Sequence, residues 1–271
     1  MQKKSKYDIR IKQNNAKNIF ALFCLLNAIG YDDENNDKGM SPLRKKIRKQ
    51  LLIIDWKAKY PECKDLLSKY HPGWILFDML KKGSIAKQTR IQKILEECGR
   101  DPLIKKLWNQ YGATQEKEGK EILAIFKKEA QLFMDFVGSA PKNIHTLTVI
   151  ANPLDAYWRG YGLEVKGVGY IVVGPGNKQE KRNVIRHELI HILAPKITIP
   201  QGLLIYSKNS ALAKMGYGTK SILNREYVVR ALQIAYETEV LKKDFEQALL
   251  EESEFPKIKE AVEFVKGKII G

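Results

Sequence analysis

Cysteine is scarce in this chain of 271 residues, and no apolar run in it is long enough to cross a bilayer. The three cysteines, Cys24, Cys63 and Cys98, are scattered and form no C-x-x-C pair. This excludes a disulfide framework and favours a reducing compartment. The longest apolar run, Ile19–Ile29, is too short for a membrane span, starts late for a secretory signal and is followed by no small-residue cleavage site. We therefore expect a buried helix here and a cytoplasmic protein without a membrane span.

Basic residues outnumber acidic ones, and the net charge is +16. Residues 1–140 hold 28 Lys and Arg against 17 Asp and Glu, a net charge of +11, whereas residues 141–271 hold 19 against 14, a net charge of +5. The densest cluster is RKKIRK at Arg44–Lys49. Such a run can attract nucleic acid or another polyanion. Because no aromatic residues are interleaved with it, a solvated helix face is the favoured interpretation and nucleic-acid binding the alternative.

The residue pattern changes near Pro141, which divides the chain into two predicted regions. Residues 1–15 are polar, and the apolar spacing from about 16 to 140 is mostly helical, with breaks at glycines and prolines such as Gly112. The clearest amphipathic helix is Lys120–Val137. We predict a helical, basic N-terminal region over 1–140 and a second domain over 141–271.

The residue pattern of the second region predicts an α+β fold with a small antiparallel or mixed sheet. Its short β-rich runs are Leu147–Ile150, Leu163–Val165 and Tyr170–Val173. Two further helices are predicted, one from about Asn224 to Leu250 and a short one after Pro256.

The stretch His187-Glu188-Leu189-Ile190-His191 is an H-E-x-x-H motif. On a helix, residues four apart lie on one face, so both imidazoles can bind one Zn²⁺ while Glu188 serves as general base. Apolar residues fall on the opposite face of this helix, which Pro195 ends. Two of the four histidines of the chain stand at this spacing, and we predict one bound zinc ion.

A catalytic zinc usually has three protein ligands and one open position for water. A third ligand of the H-E-x-x-H-x-x-G-x-x-H type is excluded, because Ala194 and Ile197 stand where its glycine and histidine belong. No histidine follows His191, and His71 and His145 remain formal alternatives upstream. A carboxylate is therefore the predicted third ligand.

The helix after the motif carries a single polar stripe that supplies such a carboxylate. Glu226, Arg230, Gln233 and Glu237 fall within one narrow sector at 100° per residue, and apolar residues cover most of the rest. We predict Glu226 as the ligand, with Glu237 as the alternative. Arg230, four residues after Glu226, is expected to orient it.

His187-Glu188-x-x-His191 followed by Glu226 on a second helix resembles the gluzincin clan of zinc metallopeptidases, which have a thermolysin-like architecture. The run from Glu226 to Ala231 is also similar to that of small uncharacterised bacterial zincins. The resemblance covers about residues 145–250. It departs from the N-E-x-x-S-D signature, because Arg225 follows Asn224 and Glu226 comes one place late.

The resemblance implies a zincin-like catalytic domain that hydrolyses peptide bonds in a peptide or protein substrate. In such enzymes the metal activates water and the glutamate carries its proton to the leaving amine. The resemblance also implies that the Tyr170–Val173 strand is an edge that pairs with substrate, and that a His or Tyr stabilises the oxyanion. Tyr217 is the predicted oxyanion donor, and the competing tyrosines are Tyr206, Tyr227 and Tyr236.

Two further hypotheses concern the N-terminal region. In the first, its basic surface binds a polyanion and the zincin domain serves or is regulated by that binding. In the second, residues 1–140 cover the cleft as an inhibitory segment. The sequence leaves the oligomeric state open.

Overall fold

The computed structural model describes residues 9–13, 17–31, 39–63, 66–81, 90–139, 141–205, 211–214 and 219–269. Within these residues the fold combines helices with one small mixed sheet, which confirms the predicted α+β class. The strands are β1 (Arg10–Gln13), β2 (Thr146–Ala151), β3 (Gly160–Val165) and β4 (Val168–Val173). The helices are α1 (Lys17–Ile29), α2 (Pro42–Leu51), α3 (Trp56–Lys59), α4 (Leu66–Lys69), α5 (Pro72–Leu80), α6 (Arg90–Gly99), α7 (Pro102–Val137), α8 (Lys178–Leu193), α9 (Ala211–Lys214), α10 (Lys220–Glu239), α11 (Phe245–Glu251) and α12 (Ile258–Ile269).

Contacts divide the chain into two compact units whose boundaries differ from the predicted ones. One, the sheet unit, comprises Arg10–Phe126 and Thr146–Ile185; the other, the helical unit, consists chiefly of Lys127–His145 and Arg186–Gly271. A boundary at residue 140 does not describe this division, because strand β1 near the N-terminus pairs with β2 from the second half of the chain. A cut at residue 140 would therefore separate β1 and α1 from β2, β3 and β4, although all of them belong to the sheet unit.

The sheet has the order β1-β2-β4-β3. Strands β1, β2 and β4 run parallel, and β3 pairs antiparallel with β4. All six residues of β2 are buried, as expected for a central strand covered on both faces. Strand β4 has partners on both sides, so the expectation that Tyr170–Val173 forms an edge for substrate is wrong. The edges of the described sheet are β1 and β3.

A two-residue turn joins β3 to β4. Val165 pairs with Val168, and Lys166 and Gly167 between them have φ values of 50° and 75°. Positive φ at both central positions is the geometry whose twist matches that of the flanking strands. Glycine reaches this conformation without the steric cost that a Cβ brings.

Helix α1 lies at the centre of the core of the sheet unit. The side chains from Phe20 to Leu26 are buried among residues of α2, α3 and α6 and of the sheet, among them Val172. The apolar run Ile19–Ile29 is therefore a core helix, as predicted. No helix in the described part of the chain is long and apolar enough to cross a membrane.

The basic cluster at Arg44–Lys49 is not a uniform solvated face. Arg44 is fully buried, donates from Nε to Asn27 Oδ1 (2.7 Å) and from Nη2 to the carbonyl of Tyr31 (3.0 Å), and lies over the Tyr31 ring. Lys45, Lys46 and Lys49 lie closer to solvent than Arg44 does. One cation of the cluster thus has a structural role, which reduces the charge that this helix offers to a polyanion.

Helix α7 is twice as long as the predicted Lys120–Val137 and continues through Gly112 and Gly119. The Trp108 ring lies so close to Gly112 that a Cβ there would be 2.8 Å from it, and a Cβ on Gly119 would be 2.3 Å from Gln13 Nε2. Gln13 also donates to the carbonyl of Glu116 (3.1 Å). These glycines permit close packing and are not breaks, because the flanking turns carry the helix across them.

In the helical unit, α10 packs against α11 and α12. Residues 220–239 form the helix, and the chain then turns through Lys242, whose φ is 58°, before α11 starts. The single helix predicted over 224–250 is therefore two helices. Asp244 is the signal for the second, because its side chain accepts from Gln247 N (2.8 Å) as an N-cap.

Candidate metal centre

Helix α8 places the H-E-x-x-H motif in its last turns. Within the helical unit, Leu189, Ile190 and Leu193 are buried at 1% exposure or less, and they fix the orientation of the helix. His187 and His191 are partly buried, with side-chain exposures of 18% and 22%. Glu188 is also partly exposed. The C-terminal end of α8 is held by Arg225, whose guanidinium donates to the carbonyl of His191.

Helix α10 brings Glu226 to the two histidines. Its carboxylate oxygens lie 3.5 Å from His187 Nε2 and 3.4 Å from His191 Nε2, and the two Nε2 atoms are 3.2 Å apart. Bonds of 2.0–2.1 Å to a tetrahedral ion place ligand atoms about 3.3 Å from one another. The two Nε2 atoms therefore stand at about the separation that one zinc ion requires, and each has an oxygen of Glu226 at a similar distance, Oε1 for His187 and Oε2 for His191.

The donor set also fits zinc by its chemistry. Two imidazoles and one carboxylate match the catalytic pattern of three protein ligands with a fourth position left for water. Among the described residues, His187, His191 and Glu226 each offer one ligand atom, and these three atoms lie within 4.8 Å of one another.

Burial and neighbouring charges set the protonation of these groups. Burial lowers the pKa of His187 to about 3, against the attraction of Glu226, so that the ring is neutral at pH 7. Burial opposes ionisation of Glu226, but the hydrogen bond from His191 and the charge of Arg230 help to outweigh it and lower its pKa. A neutral imidazole and an ionised carboxylate are the forms that bind a metal ion.

Arg230 contacts the predicted third ligand. Its Nε donates to Glu226 Oε1 (2.8 Å), and its Nη1 donates to both oxygens of Glu252 (2.9 Å each). Glu252 comes from the segment that follows α11 and is 7% exposed. The guanidinium thus lies between two buried carboxylates and holds one of them towards the histidines.

Glu237, the alternative ligand, is engaged elsewhere. It accepts from Arg186 Nη1 (2.8 Å), from Gln233 Nε2 (3.1 Å) and from Lys243 Nζ (3.0 Å). Although burial alone would raise its pKa, the hydrogen bonds from Lys243 and Arg186 lower it. Gln233 connects this cluster to the histidines, because its Oε1 lies 3.1 Å from His187 Nδ1. The polar stripe of α10 thus faces α8.

The other described candidates have different environments. His71 caps α5, with Nδ1 accepting from Gly73 N (3.1 Å), and His145 is exposed. Tyr227 and Tyr236 are fully buried, and their hydroxyls donate to the Pro256 carbonyl (2.8 Å) and to Glu129 Oε2 (3.3 Å). These two tyrosines are core residues. Tyr217 and Tyr206 lie outside the described residues.

Several residues around the centre escaped the sequence analysis. Arg186 bridges Glu237 and Glu129, with its Nε 3.1 Å from Glu129 Oε2, and Glu252 pairs with Arg230. Gln233 was recognisable only as a member of the polar stripe. The signal for Arg186 and Glu129 was weak, because an arginine and a glutamate 57 positions apart carry no pattern in the sequence.

No protein-family profile, no curated protein and no solved structure matches this chain. The chemical interpretation of the centre therefore depends on its residues and geometry alone.

Proposed function

We propose that this protein is a zinc-dependent peptidase with a gluzincin-like centre, in which His187, His191 and Glu226 hold the metal. The observation that supports this most strongly is the H-E-x-x-H motif together with two Nε2 atoms 3.2 Å apart, each with an oxygen of Glu226 at 3.4–3.5 Å. A zinc ion held in this way lowers the pKa of a water molecule and polarises the scissile carbonyl.

Glu188 is the proposed general base. It lies between the two histidines in the motif and is partly exposed, so solvent reaches its side chain. In peptide hydrolysis this carboxylate accepts the proton of the attacking water and passes it to the leaving amine. Arg230 and Gln233 act on the ligands: the first holds Glu226 and the second holds His187.

A structural zinc site is less consistent with these residues. Structural sites are normally closed by a fourth protein ligand, usually cysteine or histidine. Cys24, Cys63 and Cys98 are buried in the core of the sheet unit. The group in the described part of the chain comprises three residues, as expected for a site that leaves one position to water and substrate.

The test compares wild type with Glu188→Gln and a control, Glu246→Gln. Glu246 is 75% exposed on α11 and pairs weakly with Lys259 (3.5 Å), so this control makes the same chemical change away from the centre. We expect one zinc per chain in all three proteins. Because a general base contributes about 10²- to 10⁴-fold to rate, kcat/KM of Glu188→Gln should fall by at least about 10²-fold, whereas the control should retain wild-type activity.

Metal content is measured by mass spectrometry of the purified chain. Cleavage is measured on a peptide library digested from a whole proteome, by the appearance of new termini. Loss of the metal in Glu188→Gln, undiminished cleavage by that variant, or a zinc-loaded wild type that generates no new termini would each contradict the proposal.

A further inference from the structure

A chain of buried hydrogen bonds leads away from the metal centre through His187. The ring Nδ1 lies 3.1 Å from Gln233 Oε1, and Gln233 Nε2 donates to Glu237 Oε1 over 3.1 Å. Glu237 is 5% exposed and also accepts from Arg186 and Lys243. Of these hydrogen-bonded residues, only His187 belongs to the proposed ligand set.

The donors and acceptors in this series of hydrogen bonds fix which atom donates in each bond. An ionised carboxylate only accepts, so Glu237 must face the NH₂ group of Gln233. The carbonyl oxygen of the same amide then faces His187, and because a carbonyl also only accepts, the ring proton must be on Nδ1. The lone pair of His187 consequently remains on Nε2, the atom that lies near Glu226 and His191.

Arg186 holds Glu237, the last acceptor in this series of hydrogen bonds, in place. Its guanidinium donates from Nη1 to Glu237 (2.8 Å) and from Nε to Glu129 (3.1 Å), and both of its carboxylate partners are at most 5% exposed. Arg186 precedes His187 directly in α8. The same helical turn therefore carries the metal ligand and the cation that fixes the far end of its hydrogen-bond chain.

We propose that Glu237 is a positioning residue: by orienting the Gln233 amide it holds His187 in the tautomer whose Nε2 lone pair is ready to bind a metal ion. The inference rests on the metal centre of the proposed function, and it assigns to Glu237 a role that is neither ligand nor general base. Partners beyond the ligands commonly fix the tautomer of metal-binding histidines, and their loss costs about 10- to 100-fold in metal affinity.

The decisive variant is Glu237→Met, which keeps the length of the side chain but removes the oxygen that accepts from Gln233. An amide at position 237 would not remove it, because Arg186 donates to the same Oε1 and would keep an amide oxygen there. Without this acceptor the Gln233 amide is free to turn its NH₂ towards His187, which allows the ring proton to move to Nε2. The control is Lys243→Met. It removes one ion pair of the same carboxylate but leaves the acceptor intact, and Lys243 is 28% exposed.

A double variant, Gln233→Glu with Glu237→Met, moves the carboxylate one turn along α10 to the residue that contacts His187. The carboxylate at position 233 accepts directly from His187 Nδ1, and the total charge equals that of wild type. If Glu237 only supported the fold, adding Gln233→Glu would not be expected to restore zinc affinity. Rescue by the double variant therefore distinguishes control of the tautomer from general support of the fold.

Two measurements read the outcome. In the metal-free protein, ¹⁵N NMR of His187 should report a proton on Nδ1 in wild type, Lys243→Met and the double variant, and a proton shifted towards Nε2 in Glu237→Met. Zinc affinity, measured by competition with a chromophoric chelator, should fall about 10- to 100-fold in Glu237→Met. It should change by no more than about fivefold in Lys243→Met, because the ion pair of a partly exposed lysine is weak.

The proposal is overturned if Glu237→Met retains the Nδ1 tautomer and wild-type zinc affinity, or if the double variant is no better than the single one. Neither readout uses peptide cleavage. A wild-type protein that cleaves no peptide would therefore contradict the peptidase and leave this inference standing, whereas an unchanged tautomer would do the reverse.

Discussion

Replacing Arg230 by methionine removes the cation that lies between two buried carboxylates. The guanidinium contacts Glu226 at 2.8 Å and Glu252 at 2.9 Å, and these residues are 5% and 7% exposed. Methionine retains the apolar part of the side chain beside Phe255, whose ring centre lies 5.5 Å from the guanidinium carbon. The substitution therefore tests the charge of Arg230 more than its packing.

Breaking a buried ion pair by removing one partner costs about 3–5 kcal/mol. Because the Arg230 side chain is 23% exposed, we take the lower end and expect the free energy of unfolding to fall by about 3 kcal/mol at pH 7.5 without metal. That corresponds to a decrease in Tm of about 6–12 °C. Zinc bound at Glu226 supplies a replacement cation, so the loss should be smaller in the zinc-loaded protein.

The sign of the pH dependence follows from the same contacts. Arg230 favours the ionised forms of both carboxylates, so its removal raises their folded-state pKa values. The destabilisation of the variant is then fully present above the raised folded-state pKa values of its carboxylates, and it decreases as the pH falls through them towards the wild-type values. The difference between wild type and variant should accordingly be larger at pH 7.5 than at pH 4.

The assay is urea unfolding followed by circular dichroism, with EDTA or with zinc, on Arg230→Met and on Arg230→Met with Glu252→Met. The double variant removes one of the two carboxylates that the single variant leaves behind, so it should recover part of the lost stability. The reasoning is refuted if the single variant lies within about 0.5 kcal/mol of wild type, the range of an ordinary surface substitution. It is also refuted if the double variant is no more stable than the single one.

Two further predictions concern pH and the sheet. Because the folded pKa of His187 is about 3 and its ordinary value is 6.5, its contribution to stability is complete above pH 6.5 and is lost as the pH falls towards 3. Metal-free wild type should therefore lose about 1.4 kcal/mol more than His187→Gln between pH 7.5 and 5.5, measured by urea unfolding; equal losses would contradict this assignment. In the β3–β4 turn, Gly167→Ala should lower the free energy of unfolding by about 1–2 kcal/mol, because φ is 75° there. Gly202→Ala, at a position with open space around the added Cβ, should be close to neutral, and similar effects of the two substitutions would argue against turn strain.

The local signals in the sequence proved the most informative. H-E-x-x-H spacing and the polar stripe of α10 depend on helical periodicity alone, and the structure places His187, His191 and Glu226 together. Strand β1 was missed because Arg10–Gln13 is short and polar at three of its four positions, and its pairing with β2 depends on residues far along the chain. The break expected at Gly112 was wrong because Trp108 fills the space that a side chain would occupy.

The supports of the centre were beyond sequence reasoning for a related reason. Arg186 meets Glu129 across 57 positions and Glu237 across 51, and no periodicity relates residues at such separations. Glu226 and Glu237 fall in the same sector of a helical wheel, so the wheel alone does not show which of them is the metal ligand. Which carboxylate meets the histidines depends on how α10 is shifted along its axis against α8, and the sequence pattern carries no information on that shift.

The pairing of β1 with β2 imposes an order of events during synthesis. Arg10 pairs with Thr146, so the first strand leaves the ribosome long before its neighbour in the sheet exists. At about 5–20 residues per second the delay is roughly 7–27 s. Helix α1, which follows β1 directly, carries a large apolar surface into that interval. Its contacts with α2, α3 and α6 all lie within the first 100 residues, so the partners that cover this surface in the fold are synthesised before β2 is.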